Sequence, residues 1–248
     1  MFNRWFLVVV TLATFTALAL AIFMDSRDPA GQQYQFNERP DGMAGAETSY
    51  GRADAPARLG PDDQERIAYV TSVLDTLSLE RARLPYYGEL IRIYSGTGHF
   101  GPAAIWAGER ARQTGLHSDL IHAAELHLSA MQQKNEEHLI KEEAKKAKEM
   151  YINALALKPD DPDVLTDLAV VYMSLLLPET SHSMLEQALR IDPNHVRANF
   201  NMGVLLHQMG NIGESVPFFD RSLMLSDDPE WEAVVQGYLD RHHNELYH

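Results

Sequence analysis

Residues 162–195 read PDVLTDLAVVYMSLLLPETSHSMLEQALRIDPNH, and residues 196–229 read VRANFNMGVLLHQMGNIGESVPFFDRSLMLSDDP. Laid one on the other, the two 34-residue stretches repeat residue types at fixed places. Leu168, Ala169 and Tyr172 are answered by Met202, Gly203 and Leu206. Ser181, Leu185, Ala188 and Pro193 are answered by Ser215, Phe219, Ser222 and Asp227. Each stretch carries apolar residues at helical spacing in both halves, so each predicts two helices joined by a turn. Small residues, Ala169 and Ser181 or Gly203 and Ser215, recur at the matching places of the two halves. Ile191-Asp192-Pro193-Asn194 ends one unit and opens the next, because proline cannot continue a helix.

This pattern resembles the tetratricopeptide repeat (TPR) family. The resemblance implies an all-α array of antiparallel helix pairs whose first helices line a protein-binding groove. Carried onto this chain, the groove positions are Thr166, Val170 and Met173 in one unit and Phe200, Val204 and His207 in the next. They are apolar rather than the Lys and Asn of family members that clamp a C-terminal carboxylate. The expectation is a hydrophobic helix or extended peptide as ligand, with Val170 and Val204 packing on neighbouring helices as the competing reading. The second departure is the turn of the first unit. Where the other has Met209-Gly210-Asn211, it has Leu175-Leu176-Leu177 before Pro178. Either the helix runs on and buries these leucines, or Leu175, Leu176 and Leu177 form an interface turn that meets a partner or the edge of a bilayer.

Working outward, residues 84–117 form a weaker unit through Leu90, Tyr94, Gly98-His99-Phe100 and Ala103. Residues 118–161 form a longer one, ending on Ala147, Tyr151, Ala154 and Pro159, with a surplus around Gln132 to Glu143 that predicts prolonged helices. The mixed charges Lys141, Glu142, Glu143, Lys145, Lys146, Lys148 and Glu149 read as a solvated helix face. Pro61 opens a helix with Asp62, Asp63 and Glu65 in its first turn. Residues 230–247, entered through Pro229, form a C-terminal cap, so the helical domain spans 61–248.

At the N-terminus, Phe6 to Met24 (FLVVVTLATFTALALAIFM) is uncharged and long enough, at about 1.5 Å per residue, to cross the ~30 Å core of a membrane. Residues 1–25 therefore read as a transmembrane anchor, with a cleaved signal peptide at Ala19-Leu20-Ala21 as the alternative. Arg4 before the run and acidic residues after it place the remainder outside, in a bacterium the periplasm. Residues 26–60, rich in Pro, Gly and Asp, read as a linker, or as an arm with Tyr34, Phe36 and Tyr50 as anchors.

A net charge of −14 argues against nucleic acid, whose phosphates need clustered Lys and Arg. The absence of cysteine excludes disulfides, thiolate zinc sites, thioether haem attachment and a lipoprotein anchor. His117, His122 and His127 are five apart, the wrong spacing for two ligands on one helix face, and His242, His243 and His248 cluster at the tail. No phosphate loop, nucleophile elbow or dinucleotide turn is present, so the sequence points to no enzyme and no cofactor.

The expected function is a membrane-anchored scaffold that binds and positions a protein partner, as assembly factor or adaptor of a membrane-associated complex. In layout it is similar to the TPR assembly factors of bacterial cytochrome c maturation. The alternatives are a permanent accessory subunit of a respiratory or photosynthetic complex and, in another class, a histidine-based metal- or haem-binding protein.

Overall fold

The computed structural model describes residues 58–246, with side chains through 240. These residues form ten helices: α1 (Pro61–Thr76), α2 (Glu80–Gly96), α3 (Phe100–Thr114), α4 (His117–Gln132), α5 (Glu137–Leu157), α6 (Pro162–Ser174), α7 (Pro178–Ile191), α8 (Val196–Gln208), α9 (Ile212–Leu225) and α10 (Pro229–Leu246). No strand occurs among the described residues. Each helix packs on the next in sequence, as short connections require of antiparallel neighbours. Proline opens α1, α6, α7 and α10, where its missing N–H costs nothing. Asp161 caps α6 by accepting from the Val164 amide. His195 caps α8 by accepting from the Ala198 amide through Nδ1, which leaves the proton on Nε2 to be donated to Asp163.

The pairs α6–α7 and α8–α9 are the two clean units, and their seams are built differently. In the first, Ala169 meets Ser181, whose hydroxyl donates to the Ala169 carbonyl at 2.9 Å, and Leu185 fills the space beside them. In the second, Phe219 replaces leucine and Gly203 replaces alanine. A Cβ on Gly203 would lie 2.8 Å from the Phe219 ring, so the larger side chain and the missing methyl belong together. The α4–α5 pair is longer, with 21 residues in α5 against 14 in α7 and α9, as the surplus in the sequence predicts.

Among the described residues the core falls into four clusters along the stack, and the largest runs from α2 to α6 around Leu128, Tyr151, Leu168 and Val171. One residue there corrects the sequence reading. Glu143, expected on a solvated face, is buried in the α4–α5 seam, because it stands on the same side of α5 as Ile140, Ala144, Ala147 and Tyr151. Its carboxylate accepts from His127 Nδ1 at 2.7 Å and from Lys146 Nζ at 2.8 Å. Burial alone would raise this carboxyl. The hydrogen bonds from His127 and Lys146 outweigh it and hold the pKa at about 2.

Candidate protein-interaction site

The first helices of the units, α2, α4, α6 and α8, form the row on which the sequence places a groove. Of its six expected residues, Thr166, Val170, Phe200 and Val204 are buried, and only Met173 and His207 are partly open. Thr166 returns its hydroxyl to the Pro162 carbonyl of its own helix at 2.7 Å. Phe200 stands edge-on to Phe219, Trp231 and Tyr238, with centroids 5.9, 4.9 and 5.4 Å away, and Val204 shares that cluster with Val235. The C-terminal helix α10 thus covers the apolar surface that the sequence leaves for a ligand. A side chain that anchors two helices cannot also be an open contact.

What the row presents beside these residues is charged. Arg197 of α8 reaches back to α6, donating to Asp163 and Asp167 at 2.6 Å each. Asp163 is held below the usual carboxylate range: burial would raise it, but Arg197 and His195 prevail. Glu125 of α4 faces the same place, and its pKa is raised by burial and by the nearby Asp167, with Arg197 opposing. Neither feature was legible from composition, since both depend on α4, α6 and α8 being neighbours in space. Among the described residues no group of three or more His, Asp or Glu is gathered as a metal site. His117 lies 3.6 Å from Asp161 and His127 is bonded to Glu143; the histidines at 242, 243 and 248 lie outside the described side chains.

The leucine turn is the second candidate. Helix α6 ends at Ser174, so the leucines do not continue it, and the reading in which the helix runs on and buries them is corrected. Leu175 packs on the core, while Leu176 and Leu177 remain 49% and 44% exposed. The reason is visible in the backbone. The turns after α2, α6 and α8 share one design: His99, Leu177 and Asn211 donate their amides to the carbonyls of Tyr94, Tyr172 and Leu206 at 2.7, 2.9 and 2.9 Å. This is the Schellman closure of a helix, which needs a left-handed residue just before the donor. Gly98 (φ +75°) and Gly210 (φ +79°) supply it in two turns; in the third, Leu176 stands at φ +61°. A side chain there costs about 1–2 kcal/mol.

Among the described residues no helix is long and apolar enough to cross a membrane, and Phe6 to Met24 lies outside them, as does the 26–60 linker up to residue 57. An open cleft of about 550 Å³ lies between α2 and α3, lined by Arg81, Leu84, Pro85, Gly88, Arg110 and Thr114. Its Arg110 is already paired with Asp119 at 3.2 Å.

Comparison with known proteins fits this geometry. A family model described as tetratricopeptide repeat matches residues 184–216, a span that runs from α7 across α8 into α9. The mouse (Mus musculus) protein O-mannosyl-transferase TMTC1 is 31% identical over 118 residues, which are 46% of this chain and 12% of that protein. The chain therefore matches only a small part of that relative's length. In structure the described fold is similar to TTC0263, a thermophilic TPR protein of Thermus thermophilus, with a TM-score of 0.54 and 16% identity over 71% of this chain and 98% of that one. It is also similar to MamA, with a TM-score of 0.51 and 18% identity over 66% of this chain and 88% of that one. At such identities the likeness is one of fold. Residues 184–216 thus carry a tetratricopeptide repeat, and the helix pairs around them stack in the all-α fold of TPR proteins.

Proposed function

We propose that the chain is a membrane-anchored scaffold that binds a protein partner and holds it near the bilayer, as an assembly factor or adaptor of a membrane-associated complex. The observation that supports it is the stack of helix pairs itself, an architecture that presents long open helix rows and whose relatives by fold are TPR proteins. The reading assigns the chain no chemistry of its own; the transferase activity in the name of the mouse relative belongs to a protein of which this chain matches 12%. The apolar run Phe6 to Met24 serves as the anchor in this reading, with the array on the side opposite the N-terminus, the periplasm of a bacterium. Confinement to the membrane raises the effective concentration of a partner that is itself membrane-bound.

The surface offered on the first-helix row is then the partly open pair Met173 and His207 with the charged neighbours Glu125, Asp163 and Arg197, over a buried floor of Thr166, Val170, Phe200 and Val204. The test is extraction of the full chain in mild detergent at native expression, with identification of the chains in the particle. A defined hetero-complex, weakened by Met173→Asp at unchanged melting temperature, is expected. A monodisperse lone monomer contradicts the reading.

A further inference from the structure

Because the helices alternate in direction, the connections fall on two edges. The turns 97–99, 133–136, 175–177 and 209–211 share one edge, as the hydrogen bond from Gln133 Nε2 to the Gly98 carbonyl at 2.8 Å illustrates. The start of α1 lies on that edge too, since α1 runs antiparallel to α2: Arg66 pairs with Glu89, and Val70 and Leu74 pack with Tyr87 and Leu90. The two edges differ in charge. Ile93 to Gly108, Leu168 to Pro178 and Ala198 to Gly213 contain no Lys, Arg, Asp or Glu, so three of the four turns on the first edge are uncharged. The exceptions there are Arg58, Asp62, Asp63 and Glu65 at the start of α1 and Lys134, Glu136 and Glu137 around the turn after α4. The opposite edge is charged throughout, from Arg81, Arg110 and Arg112 to Lys158, Asp160, Asp192, Arg221, Asp227 and Asp228. It too has exposed apolar side chains, Leu79, Leu116, Leu157, Ile191 and Met224, but they are set beside those charges.

We propose that the uncharged turn edge rests on the lipid bilayer, with Leu176 and Leu177 as the residues that enter its interfacial layer. The inference rests on the reading of Phe6 to Met24 as an anchor, and it adds the orientation of the array. Two observations select lipid over a protein surface. The chain that joins the apolar run to the array, residues 25–60, enters it at Pro61, on this same edge. With the linker that its composition predicts, a span of that length has a root-mean-square reach of roughly 30–36 Å, so this edge can meet the membrane without the linker being stretched. Second, the contact surface is a ridge in which three of the four turn tips carry no charge, one of them with a leucine where the backbone favours glycine. That suits a featureless apolar solvent better than a shaped partner. Since Arg58 and Lys134 are the described cations beside this edge's helix start and turns and they stand near Asp62, Asp63, Glu136 and Glu137, attachment takes zwitterionic lipid and does not require anionic headgroups.

The chain has no cysteine, so a single environment-sensitive dye can be placed at will. Full-length protein carrying Leu177→Cys, Asn211→Cys or, on the opposite edge, Leu116→Cys is reconstituted in phosphatidylcholine vesicles with and without nitroxide-bearing lipid. The expected result is several-fold stronger quenching at 177 than at 116, with 211 between them, unchanged by high salt or added anionic lipid. Equal quenching at the three sites in protein that floats with the vesicles overturns the orientation and leaves the anchor standing. Protein that fails to float overturns the anchor itself. A dye at 177 that nitroxide lipid does not reach, and that a co-purifying protein shields, assigns the turn to a protein contact instead. Position 211 is exposed and outside the strained turn, so it carries the test if Leu177→Cys does not fold.

Discussion

The pairs α6–α7 and α8–α9 share one 34-residue frame and solve it with different residues. The first pair has a tight seam, Ala169 with Ser181 and Leu185, and a costly turn at Leu176; the second has an aromatic seam, Gly203 with Phe219, and a relaxed turn at Gly210. Position by position, one glycine accommodates a ring and the other a left-handed backbone, and in the α6–α7 pair neither is present. The difference teaches that the frame fixes where helices start and stop, while the choice between packing and exposure is made locally.

The largest test of this contrast is at the corresponding positions Thr166 and Phe200. Phe200→Ala removes the ring that joins α8, α9 and α10 and is expected to cost about 3–5 kcal/mol in urea unfolding. Thr166→Ala removes a hydroxyl bonded only within its own helix and is expected to cost about 1 kcal/mol or less. Equal losses would mean the two rows are packed alike.

The α4–α5 pair extends the comparison to a polar seam. Unfolded, Glu143 titrates near 4.5; folded, near 2, so its contribution is complete above about pH 4.5 and is lost as the pH falls toward 2. The loss is on the order of 3 kcal/mol. Glu143→Gln should therefore destabilise at neutral pH, and its difference from the parent should shrink in acid. A constant difference from pH 7 down to about pH 2–3 would contradict the buried ion network.

A smaller effect is expected at the aromatic seam. Gly203→Ala forces a methyl against the Phe219 ring and should cost about 1–3 kcal/mol, while Phe219→Leu in the same chain should recover part of that loss, recreating the Ala169–Leu185 arrangement. Additive losses would show that the two residues are not coupled.

What the sequence made legible follows from local chemistry. Pro61, Pro162 and Pro229 announce helix starts, and Leu168, Ala169, Tyr172, Ser181, Leu185 and Ala188 set the frame, because each acts within one pair. The seam position of Glu143 was also readable, one turn from Ile140 and Ala147, though charge argued for water. The burial of Val204 was one of the two readings the sequence offered, in which it packs on a neighbouring helix; the closing of Phe200 was not readable, since it depends on how α10 returns to the stack. The turn at Leu176 was visible as an anomaly, but its positive φ comes from the shared closure that only the folded helix ends reveal.

The smallest energetic effect carries the most direct test. Leu176→Gly relieves the left-handed leucine at some entropic cost of its own, so it should raise stability by up to about 1 kcal/mol. If the leucine is kept for contact, the same change should weaken the association of the full-length chain with whatever the turn meets. The measurement is thermal unfolding of Leu176→Gly together with the quenching by nitroxide lipid of a dye at 211, in one preparation. The account predicts a higher melting temperature and a loss of quenching. A higher melting temperature with quenching unchanged, or a lower one, contradicts it.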